Sequence, residues 1–167
     1  MGQDKALLDW HGKTLLEHMV HLVQGVADEV HVIGRNELPD QLPGLGPLSG
    51  IATGLETSST DANLFVAIDL PHLTRDFLKY LRPRLENSSQ PVLACKFQSY
   101  FPLCLGIRRT LLPDIKRRLA AGRLSIRGLI EDSASEFISD DEIRLHGFDP
   151  SDLFANLNTP DDYRKML

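Results

Sequence analysis

Helix-like and strand-like segments alternate along most of the 167 residues, and that alternation predicts an α/β fold with a mainly parallel sheet. A second observation supports it. Leu64-Phe65-Val66-Ala67-Ile68 is a continuous apolar run that stops at Asp69, which suits a strand buried on both faces of a parallel sheet. A third is size: 42% hydrophobic and 25% charged residues are ordinary for a globular chain, and 167 residues fit one domain spanning residues 1–167.

The elements follow in order. Residues 12–27 read as an amphipathic helix, with Leu15, Leu16, Met19, Val20, Val23 and Val26 at three- and four-residue spacing. Val30-His31-Val32-Ile33-Gly34 reads as a short strand ending in glycine. Residues 38–46 carry two prolines and two glycines and form a loop. Residues 48–57 place Leu48, Ile51, Ala52 and Leu55 on one helical face. A helix over residues 73–85, capped by Thr74, follows the apolar run. Residues 92–97 and 103–107 read as strands, and residues 111–121 as a helix stopped by Gly122. The remainder predicts a turn or short helix over 125–131, strands over 136–138 and 142–146, and a closing helix from Pro160.

A net charge of -5 argues against broad nucleic-acid binding. The longest apolar run is far short of a membrane span, and no secretory signal pattern is present, so a cytoplasmic location is expected. Cys95 and Cys104 lack zinc-site or redox spacing and read as buried free thiols. His18 and His21, three apart on the first helix, lack a matching carboxylate and read as surface residues.

In parallel α/β sheets, ligands sit outside the carboxyl ends of the strands. Asp69, directly after the apolar run and before Leu70-Pro71, is placed to hold Mg2+ beside a triphosphate; the same position suits a turn aspartate. Lys5 reads alone as a solvated charge. Gly44-Leu45-Gly46-Pro47-Leu48-Ser49-Gly50 is a glycine-rich turn opening a helix, where backbone approaches a ligand closely or simply turns. Asn36 and Asp40 precede it on the same expected sheet edge. In Asn156-Leu157-Asn158-Thr159-Pro160-Asp161-Asp162, helix capping explains Thr159 to Asp162 but not two asparagines placed to point one way from an extended segment. Arg108, Arg109, Lys116, Arg117, Arg118, Arg123 and Arg127 fall within twenty residues holding one acid, Asp114, and read as a solvated helix face or an anion-binding surface.

In this order, Met1-Gly2-Gln3-Asp4-Lys5-Ala6-Leu7, Gly46-Pro47-Leu48-Ser49-Gly50, Asp69-Leu70-Pro71, Pro102-Leu103 and residues 156–162 resemble the molybdenum cofactor guanylyltransferase family. The resemblance spans the chain. It implies a Rossmann-like three-layer nucleotidyltransferase fold and transfer of GMP from GTP to molybdopterin, with Mg2+ and release of pyrophosphate. By that resemblance Lys5 contacts the GTP phosphates and Asp69 ligates Mg2+. Asn36, Asp40, Gly46, Pro47, Leu48 and Gly50 line the guanine and ribose pocket. Asn156 and Asn158 lie on the molybdopterin side. Molybdenum-insertion proteins and molybdoenzyme chaperones are the implied protein partners.

Cytidylyltransferases on the same fold carry Pro-Lys where this chain has Asp4-Lys5, which favours GTP over CTP. The family begins with a buried strand and a Leu-x-Gly-Gly-x-Ser-x-Arg-Met-Gly loop. Met1-Gly2 matches the last two residues of that loop, so the resemblance implies a missing first strand and two unpaired sheet edges. Two explanations stand: a natural protein that extends upstream of Met1, or a short form. The short form would be a non-catalytic protein that holds molybdopterin or docks on a partner through the surface between Arg108 and Arg127.

Overall fold

Helices cover both faces of a central sheet in the computed structural model, which describes residues 4–35, 38–40 and 44–166. A short 3-10 turn at Lys5–Leu7 and a small hairpin, β1 (Asp9–Trp10) with β2 (Lys13–Thr14), lead into α1 (Leu15–Gln24). Thr14 and Glu17 close a capping box that starts α1: Glu17 N donates to Thr14 Oγ1, and Thr14 N donates to Glu17 Oε2. The helix therefore begins three residues later than its periodicity suggests, because residues 9–14 pair with one another first.

α2 (Pro47–Thr57), β3 (Ala62–Val66) and α3 (Arg75–Asn87) follow, the last capped by Thr74, which accepts from Phe77 N. β4 (Val92–Lys96) and β5 (Cys104–Arg108) come next, then α4 (Leu112–Ala120) and α5 (Ile126–Asp132). β6 (Ser135–Ser139), α6 (Asp140–Leu145), α7 (Pro150–Leu153) and α8 (Pro160–Met166) complete the chain. The sheet order is β3-β5-β4-β6. β3 and β4 both run antiparallel to β5, and β4 runs parallel to β6. Three of these four strands therefore point the same way, with β5 reversed between β3 and β4.

Alternation along the strands divides the core into two layers. Leu93, Cys95 and Cys104 face a cluster built with Met19, Phe77 and Leu81 from α1 and α3. Val92, Ala94, Leu105 and Ile107 face a second cluster with Leu48, Leu55, Ile115 and Leu129 from α2, α4 and α5. The two cysteines are buried free thiols, and burial pushes Cys104 up to about 12 and raises Cys95 well above its ordinary value. They are protonated and inert at neutral pH.

Two expected strands are corrected. Residues 142–145 belong to α6, a helix with His146 as its C-cap: Ser139 caps its start by accepting from Glu142 N, and Asp140, Asp141 and Glu142 fill its first turn. Residues 30–34 form no strand; Ile33 and Gly34 lie in a turn, closed by an isolated bridge between Arg35 and Leu38. A strand needs a partner edge. Among the described residues, nothing pairs with the edge of β3 that faces this segment. The same opening leaves β3 half-buried along its length rather than buried on both faces. A cavity of about 1150 Å³ runs along it, walled by α1, the 30–35 segment and α2.

Candidate functional site

The carboxyl end of β3 gathers three segments that are far apart in sequence. The Asp69 carbonyl accepts from Leu157 N at 2.9 Å, which pins the 156–158 segment beside the turn after β3. Leu157 is fully buried against Trp10 and Leu15, while Asn156 and Asn158 on either side of it are exposed. The two asparagines thus leave the same side of an extended segment. Lys5 Nζ donates to Asn158 Oδ1 at 3.2 Å, which brings the first turn to the same place.

That turn is held at its start by Asp4. Asp4 Oδ1 accepts from Ala6 N at 3.1 Å, and both carboxylate oxygens accept from Arg35 at 2.6 and 2.7 Å. The Arg35 guanidinium and the Ala6 amide hold the Asp4 carboxyl below the usual carboxylate range. Arg35 carried no local sequence signal beyond its place immediately after the expected strand's terminal glycine. Gly34 adopts φ 82°, a left-handed turn that glycine tolerates, and so delivers Arg35 to the mouth of the cavity.

The first turns of α2 also border the cavity, through Pro47, Gly50 and Ile51. Gly46, at φ 75°, is its N-cap and Pro47 occupies its first turn. Leu48 is fully buried in the second core cluster and packs the start of α2 onto the sheet. Asp40 Oδ1 accepts from Ser49 Oγ and, at 3.5 Å, from Thr53 Oγ1, which fastens the loop ahead of α2 to the helix. Asn36 lies outside the described residues.

Of the residues singled out from sequence, Pro47, Gly50, Asp69 and Asn156 border the cavity, together with Asp4 and Arg35. Lys5, Asp40, Gly46, Leu48 and Asn158 lie outside its walls. Among the described residues no group of three histidine, cysteine or carboxylate side chains converges as a metal cage. Asp69 stands as a single carboxylate at the strand end. Such an arrangement fits an Mg2+ ion held by one carboxylate plus substrate phosphates rather than an all-protein cage.

Two other readings change. His18 is half-buried, its Nε2 2.9 Å from the Pro71 carbonyl, and its ring lies 5.8 Å from that of Trp10. It braces the turn that carries Asp69, a long-range role that spacing on one helix cannot reveal. The arginines between Arg108 and Arg127 are largely engaged within the protein. Arg108 donates to Asp61 and to the carbonyls of Leu85, Glu86 and Ser88; Arg117, Arg118 and Arg127 pair with Asp114, Asp132 and Glu131. Arg118 is itself buried.

Known proteins are similar to this chain over nearly its whole length. A molybdenum cofactor guanylyltransferase from Syntrophotalea carbinolica is 30% identical over 177 residues, covering 99% of this chain and 83% of its own. A probable molybdenum cofactor guanylyltransferase from Carboxydothermus hydrogenoformans is 28% identical, covering 100% of this chain and 88% of its own. The crystal structure of molybdopterin-guanine dinucleotide biosynthesis protein A from Archaeoglobus fulgidus superposes with a TM-score of 0.78 at 21% identity, covering 98% of this chain and 89% of that one. The manganese complex of Rv0371c from Mycobacterium tuberculosis superposes at 0.71 with 15% identity, covering 99% and 92%. These superpositions show a shared nucleotidyltransferase-type fold. No helix among the described residues is long and apolar enough to cross a membrane. The model of the MobA-like NTP transferase domain matches residues 1–137, and the chain belongs to that family.

Proposed function

We propose that this chain transfers GMP from GTP to the terminal phosphate of molybdopterin. The observation that carries the reading is the convergence of Lys5, Asp69 and the 156–158 segment at one end of β3, through the Lys5–Asn158 and Leu157–Asp69 hydrogen bonds. The names of the relatives supply the substrates, and the chain's own residues bring a cation, a carboxylate and exposed asparagines together, which supports it.

In the reaction, a phosphate oxygen of molybdopterin attacks the α-phosphorus of GTP. The bond from that phosphorus to the β-phosphate oxygen breaks, and pyrophosphate leaves with its electron pair. Such transfers need charge neutralisation and alignment more than covalent help. Lys5 turns from Asn158 to the phosphates. Asp69 would hold Mg2+, which would neutralise phosphate charge when bound. The turn from Gly46 to Gly50, together with Asn36 and Asp40, receives guanine and ribose. Asn156 and Asn158 face molybdopterin. The domain works as one unit, in the cytoplasm, and hands its product to molybdenum-insertion proteins and molybdoenzyme chaperones.

Asp69→Ala tests the reading. GTP-dependent pyrophosphate release in the presence of molybdopterin and Mg2+ is expected to fall at least roughly 100-fold, as for loss of a group that stabilises transition-state charge. Undiminished release in that variant removes the assignment. A preference for CTP over GTP in the unsubstituted protein would keep the chemistry and change the base.

A further inference from the structure

We propose that Arg35 is a positioning residue for Lys5, acting through Asp4; the inference rests on the reading of Lys5 as the phosphate-facing cation. Lys5 lies on a turn of only three residues, too short to hold its own geometry. Ala6 anchors that turn from one side by burial. From the other side, beside its own backbone bonds from Leu7 N to the Asp4 carbonyl at 3.0 Å and from Leu8 N to the Lys5 carbonyl at 3.2 Å, it is capped by a side-chain hydrogen bond, Ala6 N to Asp4 Oδ1. A carboxylate on a flexible stem makes that bond well only if its own orientation is fixed.

Arg35 fixes it. Two parallel N–H donors meet both carboxylate oxygens at 2.6 and 2.7 Å, a fork geometry that sets the plane of the carboxylate as well as its position. Arg35 is in turn fixed at its base. Its carbonyl accepts from Leu38 N at 3.0 Å, and Gly34 N donates to the Leu38 carbonyl at 2.8 Å. A half-exposed ion pair contributes little to stability. The side chains of Arg35 and Asp4 are 39% and 43% exposed. The pair's consequence is therefore local: it ties the turn bearing Lys5 to the segment that carries Arg35 into the cavity wall, 31 residues along the chain.

The test compares Arg35→Met, Asp4→Asn, the double variant and Arg35→Lys. Without any substrate present, hydrogen exchange at the Ala6 amide is expected to quicken roughly tenfold in Arg35→Met while the melting temperature stays the same. In turnover, Arg35→Met and Asp4→Asn are each expected to lower kcat about tenfold, and the double variant no further, because both remove one linkage. Arg35→Lys restores the charge but not the fork and is expected to rescue neither measurement. Multiplicative losses in the double variant, or rescue of kcat by Arg35→Lys, would overturn the proposal and make Arg35 a direct ligand contact. Unchanged Ala6 exchange in Arg35→Met overturns it independently of any activity. If Lys5→Ala turns over normally, the reading of Lys5 has failed instead, and the exchange measurement still reports whether Arg35 orders the turn.

Discussion

Replacing Lys5 by alanine separates a catalytic cation from a structural one, because the structure puts very different sizes on the two roles. Among the described residues Lys5 makes one side-chain hydrogen bond, to Asn158 Oδ1 at 3.2 Å, in an exposed setting. A neutral-acceptor bond of that kind contributes about 0.5–1 kcal/mol. For a chain of this size, 1 kcal/mol moves the melting temperature by roughly 2–4 °C. The turn keeps its other anchors, the burial of Ala6 and the Asp4 cap. Lys5→Ala is therefore expected to melt within about 4 °C of the parent protein.

Its effect on turnover is expected to be far larger. A donor aimed at charge that develops on phosphate oxygens is worth a factor of roughly 100–1000 in kcat. Thermal melting followed by circular dichroism measures the first quantity, and pyrophosphate release from GTP with molybdopterin and Mg2+ measures the second. A variant that melts normally and loses less than about tenfold in kcat refutes the role in phosphate neutralisation. A variant that melts some 10 °C lower refutes the premise that the Lys5–Asn158 contact is a weak resting one.

Leu157→Ala is expected to cost about 2–5 kcal/mol in urea unfolding, because Leu157 is fully buried against Trp10 and Leu15, and to lower turnover by loosening the 156–158 segment from Asp69. Gly106→Ala is expected to cost about 1–3 kcal/mol in the same assay: an added Cβ would meet Leu85 Cδ1 at 2.6 Å and Leu93 Cβ at 3.1 Å, and Leu93 is held in the sheet. Ser88 and Arg84 hold Glu136 below its ordinary carboxyl value of 4.5. A carboxyl depressed in the folded state contributes stability that is full above its unfolded value and lost as pH falls through the lower folded one. Urea midpoints measured downward from about pH 4.5 are thus expected to fall less steeply in Glu136→Gln than in the parent.

Elements whose signals are local were legible in the sequence. α3 begins at its Thr74 cap, α2 at Gly46-Pro47, and α4 ends before Gly122, each where a capping or breaking residue stands. α6 carried a local signal too, since Ser139 followed by Glu142 is a helix-start pattern, but the apolar spacing of Ile143 and Leu145 imitates a strand. The direction of β5 was also recoverable. Only residues 97–103 separate it from β4, too few for the crossover that a parallel neighbour requires, and a bridge between Phe97 and Tyr100 closes the hairpin.

What the sequence could not display is anything whose meaning depends on a partner elsewhere. Val30 to Ile33 has the composition of a strand but no edge to pair with among the described residues, so composition there does not become structure. The candidate site divides in the same way. Asp69 and the two asparagines were visible because strand ends and alternation are local facts. Arg35 and His18 were not, because one matters only through Asp4 and the other only through Pro71, 53 residues away. Those two contacts help to hold the turns bearing Lys5 and Asp69. The groups proposed to touch a nucleotide were thus named from motifs, while the contacts that orient their turns are readable only from the folded chain.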